Sequence, residues 1–241
     1  MFSRPQLIAL LCLVSGPSMA AGVNAPWDSF AASSLGSPVS VFSMLTLLSL
    51  LPFGMIALTT FTRNIVVLSL VRHALGLQQT PPNIVLIVLA LFLTLFVMAP
   101  TLESTYQAGV KPFLEQQATL EQAAVKGWVP VRDFMVRQTH ESDLRLIHEL
   151  AKAPLPATVD ELTPVHLVPA FMLSELKIAF QIGFMIFLPF LIIDLIVSSI
   201  LMSLGMIMVP PITLSLPLKI MLFLLIDGWG LITQTLVRSV V

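Results

Sequence analysis
An all-α protein, built from long membrane-associated helical hairpins, is predicted by three features of this chain. Apolar residues make up 56% of it and charged residues only 10%, against about 45–50% and 25% in typical soluble domains. Its mean hydropathy of +0.95 is too high for a chain that must present most of its surface to water. The apolar residues also fall into four long runs separated by polar or proline-bearing breaks, and a helix needs about 20 such residues to cross a hydrocarbon core. A net charge of −1 offers no basic surface for nucleic acid. The one cysteine, Cys12, excludes a disulfide framework or a cysteine-rich metal site.

Residues 1–20 read as a cleavable signal peptide. Arg4 supplies the positive start, Leu7 to Val14 the short apolar core, and Gly16-Pro17 the break. Ser18-Met19-Ala20 places small residues where a signal peptidase reads, so cleavage is expected between Ala20 and Ala21. An eight-residue core is too short to span a bilayer. Residues 21–41, rich in small residues with Pro and Gly, read as a flexible lead-in.

The first hairpin is expected over residues 42–100. Phe42 to Val71 is largely apolar, with no charge between Asp28 and Arg63, and Ile84 to Pro100 is the second run. Between them Gly76 and Pro81-Pro82 mark a corner: glycine allows the backbone to leave a helix, and proline cannot continue one. Residues 101–177 carry charges of both signs and read as an extracytoplasmic helical region. Within it Phe134, Leu144, Ile147 and Ala151 recur at helical spacing, predicting one amphipathic surface helix over Asp133 to Lys152. The prolines at 154, 156, 164 and 169 predict an irregular connector over Lys152 to Pro169. The second hairpin, residues 178–241, has runs Ile178 to Met208 and Ile212 to Val237. They meet at Gly205 and Pro210-Pro211, an echo of the first corner.

Charges inside the apolar runs carry the functional information, because such positions are costly and usually face protein or a water-filled cavity. They are Arg63, Asp194, Lys219 and Asp227, with Lys177 at the edge. Asp194 and Asp227 each lie sixteen residues from the Pro210-Pro211 pair, so a straight hairpin puts both carboxylates at one depth, about 24 Å from the turn. Three chemistries use that arrangement: interhelical or intersubunit pairing with Arg63, Lys177 or Lys219, a proton relay, and an intramembrane aspartyl dyad. The dyad reading lacks its flanking motifs, since the aspartates sit in Ile193-Asp194 and Ile226-Asp227-Gly228.

Other catalytic and cofactor signatures are missing. His140-Glu141 and His148-Glu149 resemble zinc-protease fragments, but Leu144 and Lys152 stand where the second histidine belongs. No Walker A loop occurs, and Gly228-Trp229-Gly230 lacks the third glycine of a dinucleotide fingerprint. No catalytic residue, cofactor or metal is therefore expected. Met206, Ile207 and Met208 crowd the second corner; flexible apolar side chains there either fill a core or seal a passage.

From Pro169 to Leu231 the chain closely resembles the FliP family of flagellar biosynthetic proteins and their injectisome counterparts. The resemblance is carried by Ser174-Glu175-Leu176-Lys177-Ile178-Ala179-Phe180-Gln181-Ile182-Gly183-Phe184, Pro189-Phe190-Leu191-Ile192-Ile193-Asp194 and Gly205 to Pro211. It continues in Ser215-Leu216-Pro217-Leu218-Lys219 and Asp227-Gly228-Trp229, and in the first hairpin at Arg63, Leu75-Gly76, Pro81-Pro82 and Leu89 to Thr94. The resemblance implies a pore-forming subunit of the type III export gate at the bacterial inner membrane, in the flagellar basal body. It further implies a pentamer joined by the Q and R export-gate proteins, with the B-type switch protein and the A-type export protein attached. Unfolded flagellar subunits would pass through its centre, with lipid around it. Met206-Ile207-Met208 then corresponds to the family's methionine-rich gasket, with Ile207 where many members carry a third methionine. An independent small-solute or ion channel is the alternative.

Overall fold
A computed structural model of the chain describes residues 38–240 apart from 155, 157 and 207. The expected signal peptide, its Ala20–Ala21 cleavage site, most of the lead-in and Ile207 lie outside the described residues. The chain divides into two compact units, residues 1–48 and 49–241. Among the described residues the first holds the opening turns of α1 (Pro38–Leu58), so residues 38–41, expected in the lead-in, are helical. All packing below belongs to the second unit, in which every regular element among the described residues is helical.

The first apolar run is broken rather than continuous. α1 ends at Leu58 and α2 covers Phe61–Ala74, and the segment Pro52–Leu58 is bent 81° from α2. Threonines make the break. Thr59 Oγ1 donates to the Met55 carbonyl and accepts from the Phe61 amide at 3.2 Å, and Thr62 Oγ1 donates to Ile56 at 3.0 Å. Hydroxyls that satisfy backbone groups locally compete with continued helix. α2 buries Asn64, Val67, Leu68 and Val71 along one seam, the i, i+3, i+4, i+7 spacing of a core-facing helix.

Both corners are built alike. Gly76 (φ +77°) and Gly205 (φ +72°) are left-handed. Gly76 N–H donates to His73 O and Leu77 N–H to Arg72 O; Gly205 N–H donates to Met202 O and Met206 N–H to Leu201 O. These are two Schellman closures, which satisfy the last carbonyls of a helix. Arg72 completes the first corner by donating to Pro81 O (3.2 Å) and Asn83 Oδ1 (2.5 Å).

α3 (Asn83–Thr105) passes through Pro100 and continues by a π turn at Tyr106–Val110 into the short α4 (Lys111–Leu114). At the π turn a Cβ on Gly109 would meet the Ala123 carbonyl at 2.7 Å, so glycine is what permits this close crossing of α5 (Leu120–Gln138). α5 starts at a capping box between Thr119 and Gln122, which satisfies two otherwise orphaned amides.

The single amphipathic helix expected over Asp133 to Lys152 is two helices, α5 and α6 (Glu141–Leu150). Thr139 Oγ1 turns back to Met135 O (2.7 Å), and the His140 amide donates to Ser174 Oγ (2.9 Å) instead of continuing the ladder. A tertiary hydrogen bond replaces the helical one. The connector expected to reach Pro169 ends earlier, because Pro164 opens α7 (Pro164–Ser203), a position where its missing N–H costs nothing. The expected division between residues 177 and 178 falls inside this 40-residue helix, which is about 60 Å long.

α7 organises the unit. Its first turns pack Leu167 and Phe171 with Met98, Phe134 and Met135 in one core; Ala179 and Phe190 join Leu68, Val71, Leu86 and Ala90 in a second. The fourth run is also broken, into α8 (Ile212–Leu225) and α9 (Gly228–Arg238), bent by 64°. Two helical stretches, Asn83–Leu114 and Pro164–Ser203, are long and apolar enough to cross a membrane, and up to four if each bent pair counts as one span.

Candidate functional site
The sequence leaves Arg63, Lys177 and Lys219 as alternative partners for the two aspartates; the structure gives Arg63 to Glu175. Arg63 Nε donates to Glu175 Oε2 at 3.0 Å and Nη2 reaches Oε1, and the two side chains are 0% and 1% exposed. The rest of the guanidinium is also used. Nη1 donates to the carbonyl (2.8 Å) and Oγ (3.0 Å) of Ser239, and Nη2 to Gln138 Oε1 (3.0 Å). Gln138 in turn donates to the Val240 carbonyl at 3.0 Å. One cation thus ties together α2, α5, α7 and the residues after α9. Glu175 had a signal in the sequence: Leu167, Phe171, Glu175, Ala179 and Gly183 recur every four residues and are all buried. A carboxylate in that seam needs a buried cation.

Lys219 and Asp194 are brought together. Lys219 Nζ donates to Asp194 Oδ2 (2.6 Å) and to the Ala74 carbonyl (3.1 Å). It therefore joins α8 to α7 and to the C-terminal turn of α2, where a cation complements the helix dipole. Asp227 is left out: it makes no ion pair among the described residues. It sits at φ +49° in the break between α8 and α9, so the straight hairpin that put both aspartates at one depth is not what forms. No hydrogen bond joins the two aspartates, as a proton-sharing dyad would need.

Lys177 pairs with Asp143, a residue the sequence does not single out. Asp143 also accepts from Ser174 Oγ at 2.7 Å and is fully buried. Burial alone pushes its carboxyl up. Hydrogen bonds from Lys177 and Ser174, with the charges of Lys177 and His140, outweigh that and hold it below its usual value. A lowered folded value means that stability is fully present above the unfolded pKa of about 4 and is lost as pH falls through the folded one. The parent should therefore melt above Asp143→Asn at pH 6, with the gap closing below about pH 4. A gap unchanged from pH 6 to pH 3 would show that the carboxylate charge is not what holds α6 to α7.

The methionine corner stands clear of the chain. Met206 is 43% and Met208 96% exposed, and a Cβ added at Gly205 would meet nothing within 4 Å. These side chains fill no core within the subunit. Among the described residues no group of three or more His, Cys, Asp or Glu could hold a metal ion.

With two apolar spans, an exposed methionine corner and paired charges in place, comparison with known proteins identifies the group. A model of the FliP family matches residues 44–236. The chain belongs to the FliP family. That match takes in Arg63, Asp143, Glu175, Asp194, Lys219, Asp227 and the methionine corner. Relatives named flagellar biosynthetic protein FliP include one from Caulobacter vibrioides, 53% identical over 83% of this chain and 76% of its own length. The FliP of Bacillus subtilis is 47% identical over 85% of this chain and 93% of its own. That of Agrobacterium fabrum is 41% identical over 97% and 98%.

Proposed function
We infer that this FliP-family chain is a pore-forming core subunit of the flagellar type III export gate, passing unfolded flagellar subunits across the bacterial inner membrane. The observation that carries the reading is the Gly205-to-Pro211 corner. It presents Met206 and Met208 to open space at the end of a span-length apolar helix, in a family whose relatives are flagellar biosynthetic proteins. A passage wide enough for a polypeptide cannot use a rigid polar filter. Unbranched thioether side chains can close it by packing and dewetting, then yield around a moving chain.

On this reading several copies, a pentamer, converge their corners on a common axis, and the Q and R export-gate proteins complete the ring. The B-type switch protein and the A-type export protein dock against it. The large apolar faces of α3 and α7, including Phe92, Phe96, Phe180 and Phe184, are covered by neighbouring subunits or lipid. No catalytic step is assigned to the chain. Deleting its gene in the source cell should abolish filament assembly and secretion of hook protein, both restored by the intact gene. A deletion strain that still secretes hook protein would overturn the reading.

A further inference from the structure
We propose that Met208 is a site of reversible oxidation by peroxide, and that its sulfoxide loosens the seal made by the methionine corner. The inference deepens the export-gate reading and rests on it. Ile207 adds apolar bulk without sulfur, so Met206 and Met208 are the oxidisable side chains of the corner. Met208 is the more exposed of the two, and neither belongs to a core cluster among the described residues.

Exposure supplies the first argument. Met208 lies outside any helix, in the turn between α7 and α8, whereas Met98 and Met135 are shielded inside a core. Met185, Met202 and Met221 are exposed as well, but each sits on a helix. Around them Phe184, Ile200 and Leu224 are exposed too, and broad apolar faces of that kind call for a covering surface. The corner, on the export-gate reading, faces a passage instead. A passage closed at one level is filled with water on either side of it, and a molecule as small as hydrogen peroxide enters with the water.

Chemistry supplies the second. A lone pair on the thioether sulfur attacks one peroxide oxygen, the O–O bond breaks and an S–O bond forms. The proton on the transferred oxygen passes to the departing hydroxide, which leaves as water. Sulfur gives up two electrons and the peroxide takes them. A methionine sulfoxide reductase using a dithiol reverses the step: the oxygen leaves as water and the dithiol becomes a disulfide. The sulfoxide is nearly as long as the thioether, but it is polar and accepts hydrogen bonds, which disrupts methionine-rich contacts. An apolar constriction stays shut by excluding water, so a ring of sulfoxides is one that wets. The backbone closure at Gly205 uses no side-chain sulfur, and the fold of the subunit survives the change.

The test uses the full chain assembled with its membrane partners and reconstituted in vesicles, exposed to hydrogen peroxide. Peptide mass spectrometry follows each sulfoxide, and vesicle conductance follows the seal. Met208 should oxidise about tenfold faster than Met98 or Met135, and faster than Met185, Met202 and Met221. Conductance should rise in step with Met208 sulfoxide and fall again when the reductase and a dithiol are added. Met208→Leu keeps apolar bulk but has no sulfur; it should be tight at rest and stay tight under peroxide. A Met208 left unmodified in the assembly overturns the proposal, as does a Met208 sulfoxide that leaves conductance unchanged. A Met208→Leu assembly that leaks under peroxide like the parent also overturns it, since the damage would then lie elsewhere. These failures occur in a parent that is sealed before peroxide, and they leave the export-gate reading standing. A parent assembly that conducts freely before any peroxide overturns that reading and this inference together.

Discussion

If the chain forms the export-gate pore, replacing Met206, Ile207 and Met208 together with alanine is expected to open the resting channel to ions. Met208 is 96% and Met206 43% exposed, and neither belongs to a core cluster among the described residues, so alanine at these two positions removes little packing within the subunit. What it removes is bulk from the open space beyond the corner, where Met206 and Met208 are exposed. The Schellman closure at Gly205 is made by backbone groups of Met202, Leu201, Gly205 and Met206 and survives alanine. Expressed with its partners, the triple variant should assemble normally yet raise membrane conductance and admit a small impermeant solute. An assembled variant as tight as the parent would place the seal elsewhere and return the corner to subunit packing.

Breaking the Arg63–Glu175 pair has the largest expected effect on stability. Arg63→Ala strands a fully buried carboxylate and removes the donors that hold Ser239 and Gln138. Loss of one partner of a buried pair costs about 3–5 kcal/mol, a large share of the stability of an ordinary domain, about 5–15 kcal/mol. The variant should show low yield and a depressed Tm in detergent. Arg63→Met combined with Glu175→Met should recover part of the loss, since an apolar replacement removes the uncompensated charge. A single variant that melts and assembles like the parent would show that the pair is not what holds α2 against α7. Asp194→Ala is milder: its carboxylate is partly exposed, and Lys219 keeps the Ala74 carbonyl. If that variant assembles normally but stops secreting, Asp194 handles protons or substrate rather than structure.

The two glycine corners were legible because their chemistry is local. A helix that closes by a left-handed residue favours glycine, and a proline pair five and six residues later forbids resumption. Two further closures of the same kind were not legible. Gln116 (φ +58°) and Lys152 (φ +50°) take the left-handed position at the ends of α4 and α6, with Gln117 N–H reaching Pro112 O and Ala153 N–H reaching His148 O. Neither residue type advertises that conformation in the sequence. The same contrast separates the charges. Lys219 and Asp194 could be singled out because each interrupts an apolar run, whereas Asp143 sits in the first turn of α6, where an acid ordinarily just complements the helix dipole.

Composition and run length, read from the sequence, determined that the chain is helical and suited to a membrane, and local turn chemistry determined where its two main corners fall. These depend on neighbours within a few residues, and the one-dimensional pattern contains them. The first run bends through local threonine hydrogen bonds, whereas tertiary structure decided that α5 and α6 part at His140 and that Arg63 belongs to Glu175. Each of those outcomes is a competition between a local hydrogen bond and one made across the fold. The Thr59 and Thr62 hydroxyls at the first break win theirs locally, but Ser174 takes the His140 amide from 34 residues away. Arg63 reaches Glu175 across 112. Distances of that kind are set by which helices pack side by side, and residue spacing along the chain carries no record of them.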